Sequence, residues 1–266
     1  MRNLGSFLLV VAMFVSPILL NGCQTVDASN KVNLENGYRA LDARDYEQAL
    51  NNANSYLQND PSGKGAAEAL YLKGRALEGQ AVASPAQGQA NYTAARDAYL
   101  QALSQNPNPK LMGLLHAGVG NTSYWMEDFD AAARNWSQAY DEVEDPTAKA
   151  FILYRVGLCV QRMGDFAGAD TRFAQVQQQY PGTDAAKRTQ EKQGFKEFNV
   201  QVAIFANALT ANSTISQLQK DGFVVRKGAD ARGMTIVSVG PFQNYAQATA
   251  IKNRIAAKYP SAIIVP

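Results

Sequence analysis

One arrangement of residues recurs four times between positions 31 and 182, and it limits what this chain can fold into more than any other feature. The segments are Asp45-Tyr46-Glu47-Gln48-Ala49, Asn91-Tyr92-Thr93-Ala94-Ala95, Asp128-Phe129-Asp130-Ala131-Ala132 and Asp165-Phe166-Ala167-Gly168-Ala169. Each is followed by a proline, at Pro61, Pro107, Pro146 and Pro181; the Ala-to-Pro spacing is 12 residues except in the third unit, where it is 14. Gly37, Gly120 and Gly157 stand 12 residues before the alanine of units one, three and four. A unit of this size buries its apolar face only by stacking on copies of itself. Positions +4 (Ala53, Tyr99, Trp136, Phe173) and +7 (Tyr56, Ala102, Ala139, Val176) share one helical face with the alanine. Each unit therefore reads as a helical hairpin in which the glycine and alanine let two helices cross closely. The aromatic fills the gap beside them, and the proline ends the second helix.

This pattern resembles the tetratricopeptide repeat (TPR) family, most closely in unit four. The resemblance implies an all-α solenoid over 31–182 with a concave groove suited to an extended peptide or a partner helix, although no residue names the partner. Unit two departs from the pattern, because Gly74 precedes Ala95 by 21 residues. The extra residues around Pro85 are expected to enlarge the turn between its helices. Residues 183–196 are polar and begin without an aromatic, as suits a capping helix and linker. Trp136 holds a core repeat position, whereas Trp125, with Tyr124, is a candidate for the groove.

At the amino end, Phe7–Leu20 is a run of 14 nearly all apolar residues behind Arg2, interrupted by Pro17. A bilayer span needs about 20 residues, so residues 1–22 read as a secretory signal. Leu20-Asn21-Gly22-Cys23 resembles the lipobox of bacterial lipoproteins. That resemblance implies a lipid on Cys23, a short polar tether over 23–30, and a periplasmic place at the outer or inner membrane. Gln24 after the cysteine favours the outer membrane. The other cysteine, Cys159, lies in the apolar run VGLCV and reads as a small core residue.

From Phe198 the period changes to two. Residues 198–205 (FNVQVAIF) are followed by a polar helix near 208–220, strands at 223–227 and 234–239, a helix near 244–258 and a strand at 262–265. The order β-α-β-β-α-β over residues 197–266 is that of a small α+β ferredoxin-like domain. Val200-Gln201-Val202-Ala203-Ile204-Phe205, Gly222-Phe223 and Val237-Ser238-Val239-Gly240-Pro241-Phe242 resemble the sporulation-related repeat (SPOR) family. The resemblance implies binding of peptidoglycan glycan strands, favouring strands stripped of stem peptide, which are abundant at division sites.

Alternation places Val200, Val202, Val237 and Val239 under the helices. Asn199, Gln201, Ala203, Met234, Ile236 and Ser238 are left as candidates on the open, glycan-facing side. Gln201, whose amide both donates and accepts, carries over directly from the family's glycan contacts. The Gly and Ser that follow it in the family are Ala203 and Ile204 here. The aromatics usual before the third strand and near the fourth are Met234 and Ser261.

Charge adds direction without naming a ligand. Residues 197–266 hold seven Lys/Arg against three Asp/Glu, and residues 24–196 hold seventeen against twenty. The overall +2 gives no sign of a nucleic-acid partner. Two cysteines and one histidine exclude a disulfide scaffold or a multi-histidine metal centre, and no cofactor is expected. Gly74…Gly79 is followed by Gln80-Ala81 where a phosphate loop needs Lys-Ser/Thr. His116 sits in an apolar helical segment, so the expectation is a binding protein with no enzymatic activity.

Overall fold

The computed structural model describes residues 28–266; the apolar leader, the lipobox-like segment and Cys23 lie outside the described residues. Four antiparallel helix pairs come first: α1 (Ala28–Asp42) with α2 (Tyr46–Asn59), α3 (Ala66–Gly79) with α4 (Pro85–Leu103), α5 (Pro109–Trp125) with α6 (Phe129–Glu142), and α7 (Pro146–Arg162) with α8 (Phe166–Gln179). The short α9 (Asp184–Gln190) follows. The odd-numbered helices form an inner row, α1 beside α3, α3 beside α5, and α7 beside α9.

The repeat residues act as their spacing implies. Ala49, Ala95, Ala132 and Ala169 are wholly buried. A Cβ on Gly74 would come within 2.3 Å of the Tyr99 ring, on Gly120 within 2.6 Å of Trp136, and on Gly157 within 2.6 Å of Phe173. The aromatic at +4 thus lies flat in the space that the glycine leaves.

Within units one, three and four, the turn between paired helices is one Schellman motif, used three times. Asp45, Asp128 and Asp165 donate their backbone N–H to Ala40, Ser123 and Val160, and the preceding residue closes the tighter bond. That residue is left-handed: Arg44 at φ 59°, Glu127 at 61° and Gly164 at 99°. Each aspartate then caps the next helix, its carboxylate accepting from Gln48, Ala131 or Gly168 N–H.

Two expectations about prolines change. Pro85 does not lie in an enlarged turn; it is the first residue of α4, which runs to 19 residues and absorbs much of the insertion. Ser84 accepts from Gln87 N–H and the Gln87 side chain accepts from Ala83 N–H, a reciprocal cap around a proline whose missing N–H costs nothing there. Pro146 likewise begins α7 and does not end α6. Helix α9 is shorter than the predicted cap, but its Ala185, Ala186 and Thr189 are buried, and the two alanines join the hydrophobic cluster of Tyr154 and Phe173.

The remainder is β1 (Phe198–Phe205), α10 (Ala208–Lys220), β2 (Val225–Ala229), β3 (Thr235–Phe242), α11 (Tyr245–Ile255) and β4 (Ile263–Val265). The sheet is antiparallel throughout in the order β2-β3-β1-β4, the arrangement expected of a split β-α-β fold. Strand β2 starts two residues late because Gly222, at φ 84°, and Phe223 complete the Schellman end of α10. Val200, Val202, Val237 and Val239 meet Ala211, Leu218, Ala248 and Ile255 in the core, so both helices cover one face of the sheet.

This domain does not hang from a free linker. Phe166, the first residue of α8, belongs to its hydrophobic core and lies 5.2 Å from the Phe198 ring. Tyr245, at the start of α11, meets Phe129 and Phe198 edge-on at 5.6 and 5.8 Å. The Arg162 guanidinium lies 3.9 Å from the Tyr245 ring centre, 5.0 Å from Tyr124 and 5.3 Å from Phe129. Beside them, Gly164 faces the Gln243 carbonyl, which a Cβ would approach to 2.7 Å. Gln161 donates to the Lys192 carbonyl and Gly194 N–H donates to Asp170, tying down the connecting segment.

Candidate functional site

With α10 and α11 on one face, the other face of the sheet carries side chains in cross-strand rows. The central row runs Arg226, Ser238, Gln201, Ile263 across all four strands. One flanking row holds Gly228, Ile236 and Ile204, and the other pairs Asn199 with Val265. Ile204 and Ile263 are 41% and 49% exposed, so solvent reaches the middle of the face. The surface is a shallow apolar strip set with two amides and a hydroxyl, with no aromatic ring in its rows.

Two irregularities decide which residues face out. Between Gln201 and Ala203 the β1–β3 register slips by one, so that Val202 and Ala203 both stand opposite Val237. A bulge of this kind inverts the alternation beyond it. Ala203 therefore sits at the bulge beside an inward-facing valine and is not in the open row. Ile204, paired with Ile236, takes the outward place, and Phe205 turns in against the core. The second slip lies between Phe198 and Val200, where Gly240 and Pro241 share the space opposite Asn199. Gly240 has φ 152°, and a Cβ there would stand 2.5 Å from Asn199 Oδ1. That oxygen is buried without a hydrogen-bond donor among the described residues.

Of the sequence candidates, Asn199, Gln201, Ile236 and Ser238 are brought together on the open face. Met234 is not in the strand. It precedes β3 in the hairpin turn, where its N–H donates to Asp230 Oδ1 at 2.9 Å and its carbonyl accepts from Asp230 N–H. The backbone N–H of Met234, with the Arg232 side chain, holds the Asp230 carboxyl below its usual range. Ile204, Ile263 and Val265 were missed. An aliphatic side chain on a strand reads as core unless the register is known.

The hairpin cations are mostly engaged, Arg226 with Glu197 and Arg232 with Asp230. Elsewhere, His116 Nδ1 lies 3.1 Å from Asn135 Oδ1, a satisfied side chain. Cys159 is wholly buried, and burial pushes its thiol up to about 12. Trp136 is core at 4% exposure, whereas Trp125 is 47% exposed and stacked on Tyr92 at 6.2 Å. No helix among the described residues is long and apolar enough to cross a membrane, and no group of three or more metal-ligating side chains occurs among them.

Comparison with curated proteins gives no match to the sequence. Among solved structures, a thermophilic TPR protein of Thermus thermophilus is 17% identical with a TM-score of 0.48, the alignment covering 61% of this chain and 80% of that one. MamA protein is 14% identical with a TM-score of 0.47, covering 90% and 98%. YrrB, described as a TPR protein with an unusual peptide-binding site, is 22% identical with a TM-score of 0.46, covering 62% and 83%. The family model of the SPOR domain matches residues 194–266, which takes in the whole sheet and both of its helices. Residues 194–266 are thus a SPOR domain, of a peptidoglycan-binding family, carried at the end of a stack of TPR-like helix pairs.

Proposed function

We propose that this chain is a lipid-anchored envelope protein, without catalytic activity, that holds peptidoglycan glycan strands on the open face of its SPOR sheet. Its repeats recruit a protein partner. The observation that carries the reading is the central row Arg226–Ser238–Gln201–Ile263, uncovered by the domain's own helices. Gln201 and Ser238 present donors and acceptors to sugar hydroxyls, while Ile204, Ile236 and Ile263 offer an apolar bed to the ring faces. Cys23 attaches the chain to the periplasmic face of the outer membrane, and the strands engaged are those exposed at division sites.

The test is co-sedimentation of residues 23–266, with Cys23→Ser, with isolated sacculi before and after amidase treatment. Wild type should pellet, more so after amidase, and Gln201→Ala should weaken binding by about tenfold, the worth of a hydrogen bond lost to a polar ligand. A chain left in the supernatant with both preparations refutes the glycan reading. Incorporation of labelled palmitate that persists in Cys23→Ser would refute the anchor, and a uniform envelope signal from a fluorescent fusion would refute the division-site placement.

The shared core around Phe166 favours a second reading, an assembly or secretion adaptor in which the SPOR domain serves as a structural end-cap. Pull-down of an outer-membrane machine that is indifferent to Gln201→Ala would select it.

A further inference from the structure

The inner row of helices has an uneven charge. Over residues 24–196 acidic residues outnumber basic ones, twenty to seventeen. Yet α5 and α7, two adjacent hairpins' inner helices of 17 residues each, contain no Asp or Glu. Four of the segment's twenty carboxylates, Asp45, Asp128, Asp145 and Asp165, are taken up as helix caps at the turns.

What α7 and α9 present on the inner side is arginine. Arg155 of α7 lies over the Tyr124 ring of α5 at 5.8 Å and the Trp136 ring at 5.3 Å. Arg188 of α9 lies over the Phe151 ring of α7 at 5.8 Å. These contacts join neighbouring inner helices, as Glu78 of α3 and Asn121 of α5 do at 2.6 Å. Neither arginine has a carboxylate within 4.0 Å among the described residues: Glu78, whose charge Arg155 favours from farther off, is bonded to Asn121 and Tyr99, and Glu191, the α9 C-cap, bridges to neither. Stacking fixes the plane of a guanidinium and leaves its N–H edge free, the geometry that grips a carboxylate with two parallel bonds.

We infer that the inner face of α5, α7 and α9 is a docking surface for an acidic peptide segment, whose Asp or Glu side chains meet Arg155 and Arg188. Its apolar side chains would lie against Tyr124 and Phe151. The inference rests on the proposal that the repeats recruit a protein, and it gives that partner a chemistry.

The test uses residues 23–266 with Cys23→Ser, immobilised and presented with three pools of random dodecapeptides. The pools are alike except that about a third of positions are Glu, Gln or Lys. The Glu pool should be retained over the Gln pool, with a loss of about fivefold for each arginine changed to Gln and a steep decline with salt. Arg188→Gln, which leaves the Trp136 contact untouched, guards against a folding defect in Arg155→Gln. Arg172→Gln, on α8, should change nothing. Equal retention of the Glu and Gln pools, or retention indifferent to both arginines, overturns the inference.

Concentration-dependent dimers abolished by Arg155→Gln with Arg188→Gln would overturn it in favour of a second copy of the chain. A chain that pellets with sacculi but shows no preference among pools loses only this inference. One that prefers the Glu pool yet stays off sacculi loses only the glycan reading.

Discussion

Truncating Tyr245 to alanine removes the side chain through which the SPOR domain meets Arg162 and Phe129, and should release that domain from the repeats. Tyr245 makes edge-on contacts with Phe129 and Phe198, and its ring lies 3.9 Å from the Arg162 guanidinium. An aromatic pair of this geometry contributes about 0.5–1.5 kcal/mol beyond its buried area. A desolvated cation–π contact contributes about 2 kcal/mol. Of these, the Phe129 pair and the Arg162 contact cross between the domains, and together they put the loss at about 2.5–3.5 kcal/mol, on the order of a hundredfold in the ratio of docked to undocked protein. Arg162, which has no carboxylate partner among the described residues, would also lose the ring that covers it most closely.

Scanning calorimetry is the direct assay. The intact chain should unfold with the SPOR domain coupled to the last pair. In the variant, a separate transition for the SPOR domain should appear at least about 10 °C lower, since each kcal/mol shifts a domain of this size by about 4–8 °C. Trypsin should then reach Lys192 and Lys196, on the connecting segment. A melting profile unchanged within about 2 °C, with the connector still resistant, would show that Tyr245 does not couple the domains.

Three further outcomes follow from particular residues. Gly164→Glu copies the residue that unit three has at the same left-handed position, yet here it should undock the SPOR domain because its Cβ meets the Gln243 carbonyl at 2.7 Å. The exchange Glu127→Gly should be neutral or slightly stabilising in the same melts. Ile204→Ser should weaken sacculus binding several-fold, by about 1 kcal/mol of lost apolar contact, while Ala203→Ser should leave it nearly unchanged; the reverse order would show that the bulge is misplaced.

Glu78 offers a pH test. Its side chain is 8% exposed, and burial raises its carboxyl above the ordinary value despite Arg75 and the bonds from Asn121 and Tyr99. The folded chain therefore keeps a proton that the unfolded chain gives up. This contribution to stability is present below the ordinary glutamate value of about 4.3 and is lost as pH rises through the folded value. Urea melts of Glu78→Gln from about pH 4 to about pH 7 should lack that decline, and an unchanged slope would contradict the assignment.

The repeats were legible because their residues act locally. A glycine facing a ring, an aspartate capping its own helix and an alanine at the crossing each do in place what their spacing announces. Prolines were less reliable guides, since one residue type serves both to stop a helix and to begin one. Only the caps around Pro85 and Pro146 tell the two apart. The binding face was half legible for a different reason. The alternation Val200-Gln201-Val202 fixes which side is core up to the bulge, and beyond it the run Ala203-Ile204-Phe205 fits either parity. What settles it is the register against β3, a property of two strands that neither one encodes alone.

The docking of the two domains was not read from the sequence at all, although one residue bears its mark. The turn between paired helices needs a left-handed residue, and units one and three supply Arg44 and Glu127 there, accepting the strain of a side chain in that region. Unit four alone supplies glycine, and it is there that the carbonyl of Gln243 approaches too closely for any Cβ. Conformation by itself would not demand the change, since the other two turns manage without it. The glycine is explained by a neighbour some eighty residues away. Phe166 shows the same economy: the aromatic that opens the second helix of units one and three becomes, in the last one, part of a second domain's core. An end-unit of a stack has a free edge to cover. Here α9 closes the inner side and the SPOR domain takes the turn side, so the repeat residues themselves hold the binding face in place.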